Sequence, residues 1–365
     1  MKMKNNNKGI TLVALVITII ILLILAGITI ASLTQTGLFA AAQDAKTKTE
    51  EKQLEENTTL NEYANEIAKW TGNSQSKALK VNKKYENKTE LTDANGNKIV
   101  VPAGFKIVSD ATTNNATTVD QGIVIEDATG TDTNGSQFVW IPVGDIKKAD
   151  GTTTSIALNR YSFDSNGVAT EFTSTDFIEE DKTNTTSLKN YGNTISENIN
   201  SFKTSVATNG GFYIGRYEAR KGSSGKLTTV KTDSVWNDIT QPNAATNSKN
   251  MYSTGVTSEL MNSYAWDTAT LFLQTFGGNN KYSRQNSSNN GGLATTGTDN
   301  DKQCNVYDMA SNVYEWTTET YNYSSSPCLG RGGVYDNPFF YTSIRNGNST
   351  SDSYSYIGFR PLLFL

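Results

Sequence analysis

The sequence contains no histidine, and this absence removes several kinds of active site. Histidine is the commonest general base near neutral pH and the commonest protein ligand of transition metals. Without it, neither a Ser-His nor a Cys-His catalytic pair can be built. Most hydrolase mechanisms are therefore excluded for this chain of 365 residues.

Cysteine is almost as scarce, because the chain has only Cys304 and Cys328. Their separation does not match the CxxC spacing that is typical of redox centres and zinc sites. Two interpretations stay open: a single disulfide formed outside the cell, or two unreactive thiols.

An excess of positive charge is also missing. The chain has 32 Lys and Arg residues against 36 Asp and Glu residues, which gives a formal net charge of −4. Proteins that bind nucleic acid usually carry a basic patch that neutralises phosphates. We therefore expect no nucleic-acid partner. The 36% hydrophobic content is nevertheless compatible with a packed core.

The sequence begins with a basic leader that is followed by a long apolar run. Lys2, Lys4 and Lys8 lie in the leader, and no charged residue occurs between Ile10 and Leu33. A helix of this length covers the hydrocarbon core of a bilayer, which is about 30 Å thick. The positive flank predicts a cytoplasmic leader, so everything after the span should lie outside the cell.

The junction KG-ITLVAL resembles the class III signal of type IV pilins and pseudopilins. The resemblance implies that a prepilin peptidase cuts between Gly9 and Ile10 and that Ile10 is then N-methylated. It extends to about residue 70, because apolar residues from Leu38 to Ile67 recur at helical spacing, as in a pilin stalk. Other pilin subunits are the implied partners, at the cell surface or in a filament.

One position departs from the pilin pattern. Pilins usually carry Glu at the fifth mature position, where it is thought to pair with a neighbouring subunit during assembly, and here that position is Ala14. Minor or tip pilins tolerate this loss better than a major pilin would. The alternative is a plain uncleaved signal anchor that holds an external domain on the membrane.

After Trp70 the composition changes to Asn, Thr, Ser and Gly, with short β-branched runs between turn clusters. This pattern is typical of an α+β domain with many loops. One amphipathic helix is predicted over residues 259–276, where Leu260, Ala265 and Phe272 belong to a single apolar stripe. The predicted strands lie in KIVVPAGFKIV, GIVIED, QFVWIPV, GGFYIGRYEAR and GFRPLLFL.

Six blocks resemble, in order, the signature blocks of the formylglycine-generating (sulfatase-modifying factor) family. They are FVWIPVG (138–144), GGFYIGRYEAR (210–220), SYAWDTATLF (263–272), NVYDMASNVYEWT (305–317), RGGVY (331–335) and GFRPLL (358–363). The resemblance implies a C-type-lectin-like core over residues 95–365, with small twisted sheets and long ordered loops. Residues 71–94 are then a linker after the stalk.

Active enzymes of that family bind copper through two cysteines after the Gly-Gly block, because thiolates suit Cu(I). At the corresponding positions this chain has Asn337 and Thr342, neither of which is a thiolate ligand. The resemblance therefore implies an enzyme-derived scaffold without oxidase activity, without a catalytic residue and without a required cofactor. It places Cys304 and Cys328 on framework segments, where a disulfide would tie two core strands.

The family also holds a structural calcium ion near its GN-WEW block. Here Asn312 and Glu315 keep two hard oxygen ligands at close spacing, so a structural calcium is one hypothesis. The alternative is that Asn312 caps a turn while Glu315 pairs with an arginine such as Arg331 or Arg360. Trp316 beside them is predicted to be a core residue.

The segment Val334–Tyr356 lies between two glycine-rich frames, RGG (331–333) and GFRP (358–361), and is rich in Tyr, Phe, Asn and Ser, with one arginine. Binding surfaces favour this mixture, because flat aromatics give contact area and small polar residues give adaptable hydrogen bonds. The alternative is that these are ordinary packed or solvated loop residues. The predicted ligand contacts are Tyr335, Asp336, Asn337, Phe339, Phe340, Tyr341, Arg345, Asn346, Asn348, Tyr354 and Tyr356.

The same segment lacks Lys, Glu, Gln, Met and Trp. C-type-lectin-like domains of this family include variable proteins of diversity-generating retroelements, in which adenines of C-terminal codons are randomised. An AAC codon changed only at its adenines yields every residue type except these five. The resemblance thus implies, as a hypothesis, a diversified segment.

Three functions compete. The favoured one is a surface-displayed, pilin-anchored, adhesin-like protein whose lectin-like face binds an extracellular protein or glycan. The second is a structural minor pilin, in which changes at Phe339, Phe340 and Tyr341 impair assembly without loss of a ligand. The third is a sulfatase-modifying-type oxidase, which would bind copper and oxidise cysteine.

Overall fold

The computed structural model of the protein describes Lys48, Lys52 and residues 78–109, 117–180, 196–231, 233–287, 292–297, 301–323 and 325–365. The chain divides into two compact units, Met1–Ser76 and Lys77–Leu365, and every strand and helix named below belongs to the second.

The predicted pilin-type features fall almost wholly outside the described residues. Lys48 and Lys52 are described, and both are helical and exposed. The cleavage site at Gly9 and Ile10, the departure at Ala14 and the predicted span 10–33 are not described. Within the described residues, no helix combines the length and the apolar character needed to cross a membrane.

The second unit is rich in strands and has three α-helices among the described residues. The helices are α1 (Ile199–Asn209), α2 (Gln241–Lys249) and α3 (Ser263–Phe276). The strands are β1 (Thr89–Thr92), β2 (Lys98–Val101), β3 (Phe105–Val108), β4 (Val124–Asp127), β5 (Gln137–Pro142), β6 (Gly144–Lys147), β7 (Thr153–Ile156), β8 (Tyr161–Phe163), β9 (Ala169–Glu171), β10 (Phe177–Ile178), β11 (Gly211–Gly215), β12 (Arg220–Lys221), β13 (Leu227–Thr228), β14 (Thr257–Leu260), β15 (Lys302–Gln303), β16 (Val306–Tyr307), β17 (Tyr314–Tyr321), β18 (Cys328–Arg331), β19 (Asn346–Asn348), β20 (Ile357–Phe359) and β21 (Pro361–Phe364). The predicted α+β class is confirmed, and each of the five predicted runs contains a strand.

The larger sheet has six antiparallel strands in the order β14-β21-β11-β5-β4-β3. Its central strand β5 is apolar without alternation, because Phe138, Val139, Trp140 and Ile141 are all fully buried. A strand that is covered on both faces has no reason to alternate apolar with polar residues. This explains why the sequence pattern of β5 is a continuous run.

The second sheet carries the C-terminal segment. Strand β17 pairs antiparallel with β10 and β18 and parallel with β20, and β18 pairs in turn with β19. Seven of the eight positions of β17 are buried, and they include the carboxylates Glu315 and Glu319. Buried carboxylates need partners of opposite charge, and two arginine-containing clusters supply them.

Helix α3 is shorter than the sequence predicts. The sequence predicts a helix from residue 259 with an apolar stripe from Leu260, but Glu259 and Leu260 belong to β14, which pairs with β21. The helix begins after Asn262, whose Oδ1 accepts a hydrogen bond of 2.9 Å from the Ala265 N–H. This cap satisfies a free donor of the first turn and fixes the start of the helix.

Residues 78–94 are part of the compact unit rather than a linker. Tyr85 and Leu91 are buried in the core, and β1 pairs with β2 in a hairpin. The predicted domain start at residue 95 is therefore too late, because the burial of these apolar side chains is part of the packing of the unit.

Three tryptophans lie at the centre of the unit. Trp140, Trp266 and Trp316 have no exposed surface, which confirms the prediction that Trp316 is a core residue. The Trp316 indole N–H donates to the Ile239 carbonyl at 2.8 Å, and that of Trp266 donates to the Thr342 carbonyl at 2.9 Å. The second bond ties the C-terminal segment to the core.

Candidate ligand-binding site

The Val334–Tyr356 segment leaves the second sheet after β18 and returns to it at β20. Partway along it forms β19, where Asn348 lies opposite Cys328 and Asn346 lies opposite Gly330. The RGG frame (331–333) before the segment needs glycine at Gly332, whose φ of +95° lies in the left-handed region that other residues rarely adopt. Within the segment, Asn346–Asn348 thus join the sheet, and the residues on either side form turns and loops.

Backbone and hydroxyl hydrogen bonds hold the middle of the segment against the chain at 282–285. The Thr342 N–H donates to the Gln285 carbonyl at 3.0 Å, and its hydroxyl donates to the Tyr282 carbonyl at 2.8 Å. The Ser343 N–H donates to the Ser283 carbonyl at 3.0 Å. These bonds fix the course of the backbone without using the side chains around them.

A buried charge cluster, the Glu319 cluster, lies beneath the segment. It consists of Arg160, Asp267, Glu319, Arg331 and Arg345. Arg331 donates to Glu319 at 3.2 Å and pairs with Asp267, while Arg345 donates through Nε to both oxygens of Glu319 at 2.9 and 3.1 Å and also pairs with Asp267. Arg160 is the third guanidinium paired with Glu319.

The prediction that Arg345 contacts a ligand is wrong. Its side chain is only 7% exposed and lies over the Phe172 ring, 3.8 Å from the ring centroid. All three arginines act on Glu319: burial works to raise the pKa of that carboxyl, but their charges lower it to about 2. Arg345 is held as a structural partner of Glu319 and Asp267.

A surface cavity of about 280 Å³ opens above this layer, along β19 and the start of the segment. Six of the eleven predicted ligand contacts line it, together with two residues that the prediction did not include. The lining residues are Tyr314, Val334, Asp336, Asn337, Phe340, Asn346, Asn348 and Tyr356. The structure thus brings residues from both ends of the segment to one place.

Tyr314 forms the base of this cavity, and no pattern in the sequence indicates its role. Its hydroxyl donates to the Asn346 carbonyl at 2.8 Å and accepts from Asn348 Nδ2 at 2.9 Å. Its ring meets the Phe340 ring edge to face, with centroids 5.3 Å apart. A side chain at Gly330 would collide with the Tyr314 ring, so the glycine of β18 makes room for this base.

Tyr356 and Tyr354 form a stacked pair at the rim. Their ring centroids are 5.0 Å apart and the ring planes differ by 10°. Tyr356 lines the cavity, while Tyr354 is exposed and its hydroxyl donates to Asp352 Oδ1 at 3.3 Å. Burial, and then the nearby Tyr354, Asp336 and other acidic groups, raise the pKa of the Tyr356 hydroxyl above its usual value.

Three other predicted contacts lie outside the cavity lining. Phe339 is 80% exposed, which is unusual for such a large apolar side chain. Tyr341 is half-buried beneath the Arg284 guanidinium, 3.7 Å from its ring centroid. Tyr335 packs against the core, and its N–H donates to the Asn312 carbonyl at 2.9 Å. Of these, Phe339 is the one that a partner can reach without rearrangement.

The positions that correspond to the copper cysteines are placed very differently from each other. Thr342 is completely buried, with its hydroxyl committed to backbone carbonyls. Asn337 lines the cavity, and its Oδ1 accepts from the Phe339 N–H at 3.0 Å. Neither offers a soft ligand for Cu(I).

The residues proposed for calcium are committed to other partners. Both Glu315 oxygens bind Arg360, at 2.7 Å to one guanidinium nitrogen and 3.1 Å to Nε. Asn312 donates to Glu218 at 2.6 Å and accepts from the Ala294 N–H at 2.9 Å. The structure therefore contradicts the calcium pair and supports the arginine alternative. No group of three or more acidic or cysteine side chains among the described residues is arranged to hold a metal ion.

The two cysteines do not form the proposed disulfide, because both are free thiols in the structure. Cys304 lies in the tight turn between β15 and β16, and Cys328 begins β18. Burial raises the pKa of both thiols, that of Cys328 to about 12 with the help of the Asp352 charge. Few thiolates therefore form at neutral pH, which agrees with the unreactive alternative.

The sequence match and the geometry agree on the family. Residues 128–363 match the model of the sulfatase-modifying factor enzyme 1-like domain. The chain belongs to this family. The match covers the second sheet, the cavity, both glycine-rich frames and the larger sheet from β5 onward, so the resemblance based on the six blocks is confirmed over this range. No curated protein matches the chain in a sequence search.

Solved structures show only distant similarity to this sulfatase-modifying factor-like chain. CarF is 12% identical with a TM-score of 0.30, covering 42% of this chain and 87% of its own. Variable protein 1 of Treponema denticola is 15% identical with a TM-score of 0.29, covering 64% and 97%. The M1 variant of the major tropism determinant is 11% identical with a TM-score of 0.31, covering 80% and 85%. At these values none identifies a ligand for this chain.

Proposed function

We propose that this protein is a ligand-binding, adhesin-like module that uses the cavity of the Val334–Tyr356 segment. One observation carries the proposal: aromatic and amide side chains of the segment line one cavity of about 280 Å³, while the backbone of the segment is fixed beneath them. A binding site gains affinity when its framework is ordered before the ligand arrives. The exposed Phe339 extends the candidate contact surface beyond the cavity.

The proposal includes the absence of oxidase activity. Members with the enzyme chemistry need two thiolates for Cu(I), and the matching positions hold Asn337 and a buried Thr342. We expect no stoichiometric copper binding and no oxidation of a cysteine-containing peptide by the purified protein. Tight binding of Cu(I) together with peptide oxidation would contradict this part of the proposal.

The proposal also includes display at the cell surface by the pilin-type N-terminus. The support is the KG-ITLVAL junction and the uncharged run from Ile10 to Leu33. We expect a prepilin peptidase to release residues 1–9 and leave an N-methylated Ile10, which mass spectrometry of the mature N-terminus detects. An intact leader would instead favour an uncleaved signal anchor.

Diversification of the segment is a further part of the proposal. The absence of Lys, Glu, Gln, Met and Trp from Val334–Tyr356 supports it, as does the division of the segment into cavity-facing and framework positions. The genome should then carry a reverse transcriptase gene and a near-copy of this coding segment that differs only at adenines. A neighbourhood without either would rule diversification out.

The binding function is tested with full-length protein on a glycan array and in a pull-down of surface proteins. We expect a retained ligand that the double variant Tyr356→Ala, Asn348→Ala loses, because both side chains line the cavity. Tyr323→Ala is the matched control, since Tyr323 is a 56% exposed aromatic that does not line it. A ligand that is unaffected by the double variant would contradict the proposed site.

A further inference from the structure

The cavity contains a carboxylate that nothing else in the described structure uses. Asp336 lines the cavity and is exposed, and no described residue donates a hydrogen bond to its carboxylate or forms an ion pair with it. Most other acidic groups around the segment are committed, as Glu319 and Asp267 are to arginines. A free carboxylate at the mouth of a cavity favours a cationic or donor-rich ligand group.

The amide of Asn348 adds a second acceptor. Its Nδ2 donates to the Tyr314 hydroxyl at 2.9 Å and to the Asn346 carbonyl at 3.1 Å. Because the Tyr314 hydroxyl itself donates to the Asn346 carbonyl, it must accept from Asn348, and this fixes the orientation of the amide. The Asn348 Oδ1 then remains without a donor and is available to a ligand.

Three aromatic rings complete the walls. The Tyr314 and Phe340 rings meet edge to face. The third ring, that of Tyr356, is stacked on Tyr354. The face of an aromatic ring attracts a nearby ammonium or guanidinium group through its quadrupole. Rings combined with an unpaired carboxylate therefore suit the same kind of ligand group.

The described residues that line the cavity include no cationic side chain. Arg345 and Arg331, the arginines of the segment and of the frame before it, are bound to Glu319 and Asp267, and Arg284 lies over the Tyr341 ring, outside the lining. Burial and Tyr354, and then the charges of Asp336 and Asp352, raise the pKa of the Tyr356 hydroxyl, so the charged groups that act on this ring are acidic.

We infer that the cavity takes a basic side chain, Lys or Arg, presented by a protein partner. The ammonium or guanidinium group would lie between Asp336, Asn348 Oδ1 and the Tyr356 ring. This inference rests on the proposed binding function and narrows it from a protein or glycan ligand to a basic protein surface. Diversification at the cavity-facing positions would then change the residues that hold the basic group, whereas Glu319 and Tyr314, which lie outside the segment, keep the framework.

The inference is tested by NMR titration of the full-length protein with two small probes. One is Nα-acetyl-lysine methylamide, and the other is the norleucine analogue, which has the same chain length without the ammonium group. We expect the lysine probe to bind with a dissociation constant on the order of millimolar, as a single side chain does, and the norleucine probe to bind at least about fivefold more weakly. Equal binding of the two probes, or no binding of either, overturns the inference.

Two variants locate the charge that is responsible. Asp336→Asn keeps the shape of the side chain and should weaken the lysine probe by about fivefold, which is the scale of one exposed charge pair. Asp132→Asn removes an exposed carboxylate that does not line the cavity and should leave binding unchanged. Equal effects of the two substitutions would mean that only the net charge matters, and the inference would be wrong.

The failure of this inference can be told apart from the failure of the proposed function. Suppose that a partner no longer binds the Tyr356→Ala, Asn348→Ala double variant but still binds Asp336→Asn. This result supports the binding function and overturns the inference that the cavity takes a basic side chain. Binding of a neutral monosaccharide such as N-acetylglucosamine in the cavity, in preference to the lysine probe, likewise supports the binding function and overturns the inference of a basic side chain. A partner that no cavity variant affects contradicts both.

Discussion

The two buried charge clusters of the domain differ in how their charges balance. In the Glu319 cluster, three guanidinium groups surround the two carboxylates of Asp267 and Glu319. In a second cluster, the Arg360 cluster, one guanidinium acts on four carboxylates. They are Glu218, Asp301, Asp308 and Glu315.

This difference reverses the pKa directions. Glu319 is held ionised, with a pKa lowered to about 2 by the three arginines. In the Arg360 cluster, burial first and then neighbouring carboxylates raise the pKa, to about 7 for Asp308 and well above the usual value for Glu218. Carboxyl groups that are similarly buried thus differ in protonation state, because the balance of neighbouring charges decides whether the ionised or the protonated form is stable. The cluster beneath the cavity keeps its charge, and the Arg360 cluster takes up protons.

The largest expected effect comes from removing the single guanidinium of the Arg360 cluster. Arg360→Met should lower the free energy of unfolding by about 4 kcal/mol at pH 7, because it leaves Glu315 buried without its cation. Urea unfolding of the full-length protein measures this loss. The control is Arg220→Met, whose ion pair with Asp233 is partly exposed and should cost less than about 1 kcal/mol. Similar losses in the two variants would contradict the comparison.

Removing a carboxylate from the Glu319 cluster should have the next largest effect. Glu319→Gln is expected to cost about 3 kcal/mol at pH 7, because Arg331 and Arg345 lose a buried counter-ion. Its folded pKa lies below the unfolded value of 4.5, so its contribution is present above pH 4.5 and is lost as the pH falls toward 2.

Urea unfolding at several pH values checks this expectation, with the largely exposed Glu86→Gln as the unaffected control. The difference between Glu319→Gln and the unsubstituted protein should shrink below pH 4.5. A difference that grows on acidification would mean that the carboxylate is not held ionised.

The Arg360 cluster should give the opposite pH dependence. The pKa of Asp301 is raised to about 6 and that of Asp308 to about 7, both from 3.8. The folded protein therefore holds protons that the unfolded chain releases, and its stability should fall as the pH rises from about 4 to about 7. Asp308→Asn should reduce this fall by about 3 kcal/mol in urea unfolding at pH 4.5 and 7.5.

Asp132→Asn, at an exposed position, is the control and should leave the fall unchanged. If Asp308→Asn keeps the full pH dependence, the protonation of this cluster is not centred on Asp308.

The smallest effects separate framework from contact residues within the segment. Phe340→Ala should cost about 1 kcal/mol through the lost ring contact with Tyr314. Phe339→Ala should change stability by less than about 0.5 kcal/mol, because Phe339 is 80% exposed. Thermal unfolding compares the two variants, and a larger loss for Phe339 would mean that its side chain packs elsewhere.

Much of the fold could be predicted from the sequence, because its signals are local. The apolar runs of β5, β11 and β21 and the stripe of α3 indicate elements directly. The helix start was wrong because the apolar spacing continues into β14, and only the pairing of β14 with β21 distinguishes strand from helix there. The early residues Tyr85 and Leu91 were missed because a short hairpin carries too weak a pattern.

The candidate site was predicted in outline and corrected in detail. Composition pointed to the Val334–Tyr356 segment, and six of the predicted residues line its cavity. Composition could not show that Arg345 pairs with Glu319 and Asp267, since these partners are distant in the chain. The position of Tyr314 depends on space left by Gly330 in the neighbouring strand.

The sequence by itself determined the absence of histidine chemistry, the α+β class and the polar-aromatic character of the segment. These follow from which residue types are present and how they are spaced. Only the tertiary structure decided which side chains of the segment reach a cavity and which serve buried partners. The reason is that burial and charge pairing depend on distances between residues far apart in the chain, and sequence spacing does not encode those distances.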